Sequence, residues 1–138
     1  MIRSDDRRAR VLLVEDEPMI SDITMEALVE HGFDVEAVAS AGEALKCLNA
    51  GTPIDILFTD INLPGDMDGA ALARCARQIL PNLPVMYTSG ARSAIEQLNP
   101  VEGSMFLAKP YDLFGIGRLL EYLMLAKPTR PSLKAGRA

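Results

Sequence analysis

The chain has 138 residues, 49% of them hydrophobic and 5% aromatic, enough for one globular domain and no second sizeable core. Its formal charge of −5 is unevenly spread: residues 1–10 carry four basic and two acidic side chains, and residues 127–138 carry four basic and none acidic. The body between them, 11–126, holds six basic against seventeen acidic residues, a net −11. Such a body disfavours nucleic-acid binding, which needs clustered Lys and Arg, and favours a cation or a basic partner surface. No apolar run reaches the roughly 18 residues of a membrane span. The charged first ten residues lack an apolar signal-peptide core, so a cytoplasmic protein without membrane contact is expected.

Residues 11–14 (VLLV) form a short apolar run that predicts a strand buried on both faces. Pro18 suits the first turn of a helix, in which Met19, Ile20, Ile23, Ala27 and Leu28 recur at helical spacing until His31 and Gly32 stop it. His31, the single histidine, is read as a favourable charge at that helix end rather than a catalytic group. Residues 34–39 alternate as a second strand. Ser40 and Glu43 form a capping box for a helix to about Asn49, which Gly51 and Pro53 break. A third strand over 54–59 leads into a loop over 60–69 rich in Pro, Gly and Asp. A helix over 70–80, a strand over 84–88, a weak helix over 91–99, a strand over 104–108 and a helix over 111–126 complete the pattern. Gly115 and Gly117 interrupt the last helix, each at about 0.5–1 kcal/mol relative to Ala. Cys47 and Cys75 make no metal or redox motif and read as small buried hydrophobes. Residues 1–9 are expected to be a flexible arm, 10–126 the domain, and 127–138 a disordered basic tail.

Strand and helix alternate five times, which implies a parallel sheet with helices on both faces and a functional crevice beyond the carboxyl ends of the strands. At those ends stand Glu15, Asp16 and Glu17 after the first strand, Asp60 after the third, Ser89 and Gly90 after the fourth, and Lys109 with Pro110 after the fifth. Crowded carboxylates repel unless a divalent cation joins them, and oxygen ligands select a hard ion such as Mg²⁺. A carboxylate beside such an ion serves as a nucleophile toward phosphorus, giving an aspartyl phosphate. Phosphoryl transfer then needs positioning and charge neutralisation, which a metal, a lysine and a hydroxyl supply together. Gly90 leaves room for an incoming phosphodonor.

The motifs VLLVEDEP (11–18), FTDINLP (58–64), Asp68-Gly69, Thr88-Ser89-Gly90 and FLAKP (106–110) resemble the receiver domain of response regulators in two-component signalling, of the single-domain chemotaxis type. The resemblance spans about residues 10–126 and implies a flavodoxin-like, doubly wound α/β fold, five parallel strands in the order 2-1-3-4-5. It makes Asp60 the phosphoacceptor and Asp16 the direct Mg²⁺ ligand, with Glu15 acting through water and Asn62 through its backbone carbonyl. Lys109 would pair with the phosphoryl group. Ser89, five residues after Pro84 and before a small residue, is the switch hydroxyl, with Thr88 in reserve. Phe106 resembles the aromatic that turns inward on phosphorylation, or is simply core. The loop over 64–69 is one residue longer than the commonest form and is similar to that of receivers in hybrid histidine kinases.

The resemblance implies a histidine kinase or a histidine phosphotransfer protein as phosphodonor, Mg²⁺ as cofactor, and a switched protein-binding surface on a monomer or weak dimer. The tail shows no periodic pattern able to form a DNA-binding output domain, so none is expected, nor is turnover of an external substrate. A phosphatase of the haloacid dehalogenase type would want an acid where Asn62 stands, and an amide does no general acid–base work. No Gly-x-Gly-x-x-Gly follows a strand, which disfavours nucleotide binding. The other reading is a receiver-like interaction module that acts without phosphorylation.

Overall fold

The computed structural model of the chain describes residues 8–91 and 98–126. Five strands, β1 (Arg10–Val14), β2 (Asp34–Val38), β3 (Ile56–Asp60), β4 (Val85–Ser89) and β5 (Met105–Ala108), form one parallel sheet in the order β2-β1-β3-β4-β5. Among the described residues four helices, α1 (Pro18–His31), α2 (Ala41–Asn49), α3 (Gly69–Ile79) and α4 (Ile116–Leu125), flank it.

Strand alternation divides the core in two. Leu12, Val14, Leu57, Val85 and Tyr87 point to one face, where Ala44 and Leu48 of α2 and Leu72 and Ala76 of α3 cover them. Val11, Leu13, Ile56, Phe58 and Met86 point to the other, under Leu28 of α1 and Ile116, Leu120 and Leu123 of α4. β1, β3 and β4 are buried on both sides, as near-continuous apolar runs require.

The helix boundaries have local causes. Pro18 opens α1, and Gly32, at φ 116, closes it with its N–H on the carbonyls of Leu28 and Val29. Ser40 Oγ accepts from Glu43 N at 3.2 Å, but the Glu43 carboxylate reaches back to Ala39 N (3.0 Å) rather than to Ser40 N. Asp68 caps α3 by accepting from Ala71 N at 2.9 Å. Gly69 then donates to Ile61 O at 2.8 Å, and a Cβ at Gly69 would run into the backbone of Asp60 and Ile61. That obstacle cannot yield as a side-chain tip would. Gly69→Ala is therefore expected to destabilise the protein by about 1–3 kcal/mol, read as a lower urea midpoint.

Several boundaries depart from the sequence expectation. Ala9, placed in the N-terminal arm, is fully buried, and its carbonyl accepts from Asp34 N at 2.9 Å. β3 starts two residues late because the Asp55 carboxylate takes Arg10 N at 2.7 Å and the Asp55 N–H goes to Arg10 O. β3 and β4 each run one residue further than expected, so Asp60 and Ser89 end their strands instead of following them. α4 begins at Ile116, not at 111: Asp112 Oδ1 accepts from Phe114 N (2.9 Å) in a side-chain turn, and Phe114 is left 98% exposed. Gly117, which looked only costly, is where the His31 ring packs, and a Cβ there would collide with it. His31 lies in the last turn of α1, pairs with Glu121 of α4 at 3.1 Å and stacks on Phe33. Cys47 and Cys75 are half-buried rather than buried. The helix expected over 91–99 falls largely on 92–97, and it lies outside the described residues with most of the expected arm and the basic tail. Among the described residues no helix is long and apolar enough to cross a membrane.

Candidate functional site

Parallel strands place their carboxyl ends along one edge, so Glu15, Asp60, Ser89 and Lys109 meet there although they are far apart in sequence. Asp60 ends β3 and is 5% exposed; Glu15 follows β1 and is 3% exposed. Lys109 Nζ bridges them, 2.9 Å from Asp60 Oδ2 and 2.8 Å from Glu15 Oε1. The second oxygen of each carboxylate meets a backbone amide two residues on: Asn62 N donates to Asp60 Oδ1 at 3.0 Å, and Glu17 N to Glu15 Oε2 at 3.1 Å.

Burial pushes the Glu15 carboxyl above its ordinary range, against the opposing pull of the Lys109 hydrogen bond. Burial also works to lower the Lys109 pKa, but the hydrogen bonds to Asp60 and Glu15 outweigh it and hold the ammonium charged above its ordinary value. The ammonium touches two carboxylates at hydrogen-bond distance, which keeps it charged.

Asp16 is exposed beside this pair, and carboxylate oxygens of Glu15, Asp16 and Asp60 lie within 4.8 Å of one another. Such a hard oxygen set suits a divalent cation with room for waters, as Mg²⁺ requires. Both Glu15 oxygens are already engaged, which suits an indirect part in holding an ion.

β4 presents its two hydroxyls to opposite sides. Ser89 lies on the face of Val85 and Tyr87, and its Oγ accepts from Asn62 Nδ2 and from Ala91 N, each at 3.0 Å. Thr88, on the face of Met86, is 2% exposed, and its Oγ1 has no hydrogen-bond partner among the described residues. Ser89, not Thr88, thus shares a neighbour with Asp60. A Cβ at Gly90 would make only ordinary contact with Lys109, so packing leaves that approach open.

Phe106 pairs in register with Tyr87 and is partly buried against the same core face as Ser89. It borders a cavity of about 200 Å³ that Tyr87, Leu98, Pro100, Ser104 and Met105 also line. The Tyr87 hydroxyl accepts from Val101 N at 3.0 Å, tying β4 to the segment that enters β5. Tyr87→Phe keeps the packing and removes that bond, so a loss of about 1 kcal/mol is expected, with faster hydrogen exchange at the Val101 amide.

Every sequence-predicted site residue except Phe106 and the reserve Thr88 is brought to this edge. The reading from sequence missed the Asn62 side chain, expected to act only through its carbonyl, and the Tyr87 hydroxyl. An Asp accepting from the amide two residues on was the available signal for the first.

The sheet order is that of a doubly wound α/β domain with an acidic carboxyl edge, and the response regulator receiver domain family matches residues 11–121; the chain belongs to that family. Among its relatives, the Escherichia coli sensor protein TorS is 37% identical over 120 residues, covering 84% of this chain and 13% of TorS. The response regulator receiver protein CpdR of Brucella abortus is 32% identical over 121 residues, covering 85% of this chain and 98% of CpdR. A receiver protein from Sinorhizobium medicae superposes with a TM-score of 0.79 at 32% identity, covering 86% and 96% of the two chains. The receiver domain of the hybrid histidine kinase CckA does so with a TM-score of 0.72 at 31% identity, covering 84% and 99%. The chain thus spans nearly all of some relatives and a small part of others.

Proposed function

We propose that the chain is a phosphorelay receiver that takes a phosphoryl group onto Asp60 from a phosphohistidine of a histidine kinase or phosphotransfer protein. The observation that carries this is the edge itself: Asp60 held by Lys109 and the Asn62 amide, with Asp16 and Glu15 alongside. A carboxylate oxygen of Asp60 attacks phosphorus. The O–P bond forms as the N–P bond breaks, and the departing imidazole nitrogen keeps the electron pair and takes up a proton. Lys109 neutralises the incoming oxygens from where it already stands, and Ser89 donates its hydroxyl to one of them. Asp16 and Asp60, with Glu15 through water and the Asn62 carbonyl, would hold Mg²⁺. When bound, the ion would supply the charge that lets the carboxylates and the phosphoryl oxygens coexist.

A groove of about 350 Å³ lined by Ile20, Ile23, Thr24, Lys109, Tyr111 and Leu113 opens beside Lys109 and supports docking of an apolar partner face there. Drawing Ser89 toward the phosphoryl group alters the core face it shares with Tyr87 and Phe106, which makes the output a changed protein-binding surface near β5. The protein acts in the cytoplasm and turns over no external substrate. Titration with Mg²⁺ followed by amide NMR tests the site: shifts centred on Asp16, Asp60 and Asn62 are expected. Their absence would favour an interaction module that works without phosphorylation.

A further inference from the structure

We propose that the side chain of Asn62 is a positioning residue that aims the Ser89 hydroxyl at the group carried by Asp60; this rests on the phosphoacceptor reading above. A serine hydroxyl has one proton to give and two lone pairs to accept with. In Ser89 both acceptor directions are filled, by Asn62 Nδ2 and Ala91 N at 3.0 Å each. Among the described residues its own proton finds only Ala91 O, at 3.5 Å, the limit of a hydrogen bond. Ser89 is 2% exposed, so bulk water does not compete freely for that proton. Among the described residues the oxygen is oriented by two donors while the proton is nearly spare, which is the arrangement a hydrogen-bond donor to a phosphoryl oxygen needs. Asn62 also donates its backbone N–H to Asp60 Oδ1. One residue therefore sets the position of the acceptor carboxylate through its backbone and of the hydroxyl through its amide.

The amide is chemically specific here. An aliphatic side chain at position 62 would leave Ser89 Oγ with one donor and free to rotate. A carboxylate there would accept the Ser89 proton and turn it away from Asp60. Asn62 is itself exposed, so its replacement leaves the core intact.

The test is a double-mutant cycle on the full chain, with acetyl phosphate and saturating Mg²⁺ and the initial rate of Asp60 phosphorylation as readout. Asn62→Ala is expected to lower the rate by about three- to tenfold, the worth of one neutral hydrogen bond. Asn62→Asp should lower it further, and Asn62→Ala should add no loss in a Ser89→Ala background. Mg²⁺ affinity should be unchanged in Asn62→Ala, since the backbone carbonyl remains. The same fold loss in both backgrounds, no loss in the first, or a Mg²⁺ affinity that falls with the rate would each overturn the assignment. An unaltered chain that takes no label would overturn the phosphoacceptor reading, and this assignment with it.

Discussion

Replacing Lys109 with methionine should cost the folded protein about 3 kcal/mol in metal-free buffer, seen as a lower urea midpoint at unchanged slope. Methionine keeps the apolar stem and removes only the ammonium. The side chains of Lys109, Glu15 and Asp60 are 16%, 2% and 7% exposed, so solvent screens this cluster poorly. Without the ammonium, two buried carboxylates face each other with a backbone amide apiece for support. Removing one partner of a buried pair is far worse than losing a surface pair, which is worth about 0–1 kcal/mol. Protonation of Glu15, already favoured by its burial, offsets part of the loss and sets the expected value at the low end of the range. Mg²⁺ should restore part of the stability by mass action, about 2.7 kcal/mol at a hundredfold excess over its dissociation constant. A loss below about 1 kcal/mol, or none recovered with Mg²⁺, would mean the cluster is neither as dry nor as cation-seeking as its geometry indicates.

The second large effect is chemical. Asp60→Asn should fold normally and accept no phosphoryl group. The amide keeps the shape, and its oxygen still accepts from Asn62 N, so the loop over 60–69 is retained. What it lacks is a charged oxygen nucleophile, and neither Glu15 nor Asp16 replaces it: Glu15 has both oxygens committed, and Asp16 lies out in solvent. Labelling that persists in Asp60→Asn, with near-native circular dichroism, would move the acceptor elsewhere.

Much of this site was legible in the sequence because a parallel α/β fold turns a one-dimensional pattern into a location. Once residues 11–14, 54–59, 84–88 and 104–108 read as parallel strands, whatever follows them shares an edge, and Glu15, Asp60, Ser89 and Lys109 do. What was not legible depends on side-chain turns and close approaches that periodicity does not carry. Asp112 competes with the helix for the Phe114 amide and delays α4, although Tyr111 to Leu113 look helical in composition. Gly117 reads as a helix breaker until the ring of His31 is seen against it. Thr88 and Ser89 were adjacent candidates. Spacing from Pro84 favoured Ser89, and strand alternation, with Tyr87 and Met86 on opposite core faces, is why Ser89 is the hydroxyl beside Asn62. Ala9 joins the core because its carbonyl anchors β2, a pairing that no local pattern announces.

The most direct measurement is to locate the modified residue. The unaltered chain is incubated with acetyl phosphate and Mg²⁺, any acyl phosphate is reduced with borohydride, and the peptides are sequenced by mass spectrometry. Homoserine at position 60, absent when Mg²⁺ is chelated, is the expected result. An unmodified chain, or a phosphate that survives acid on any other residue, would contradict the account.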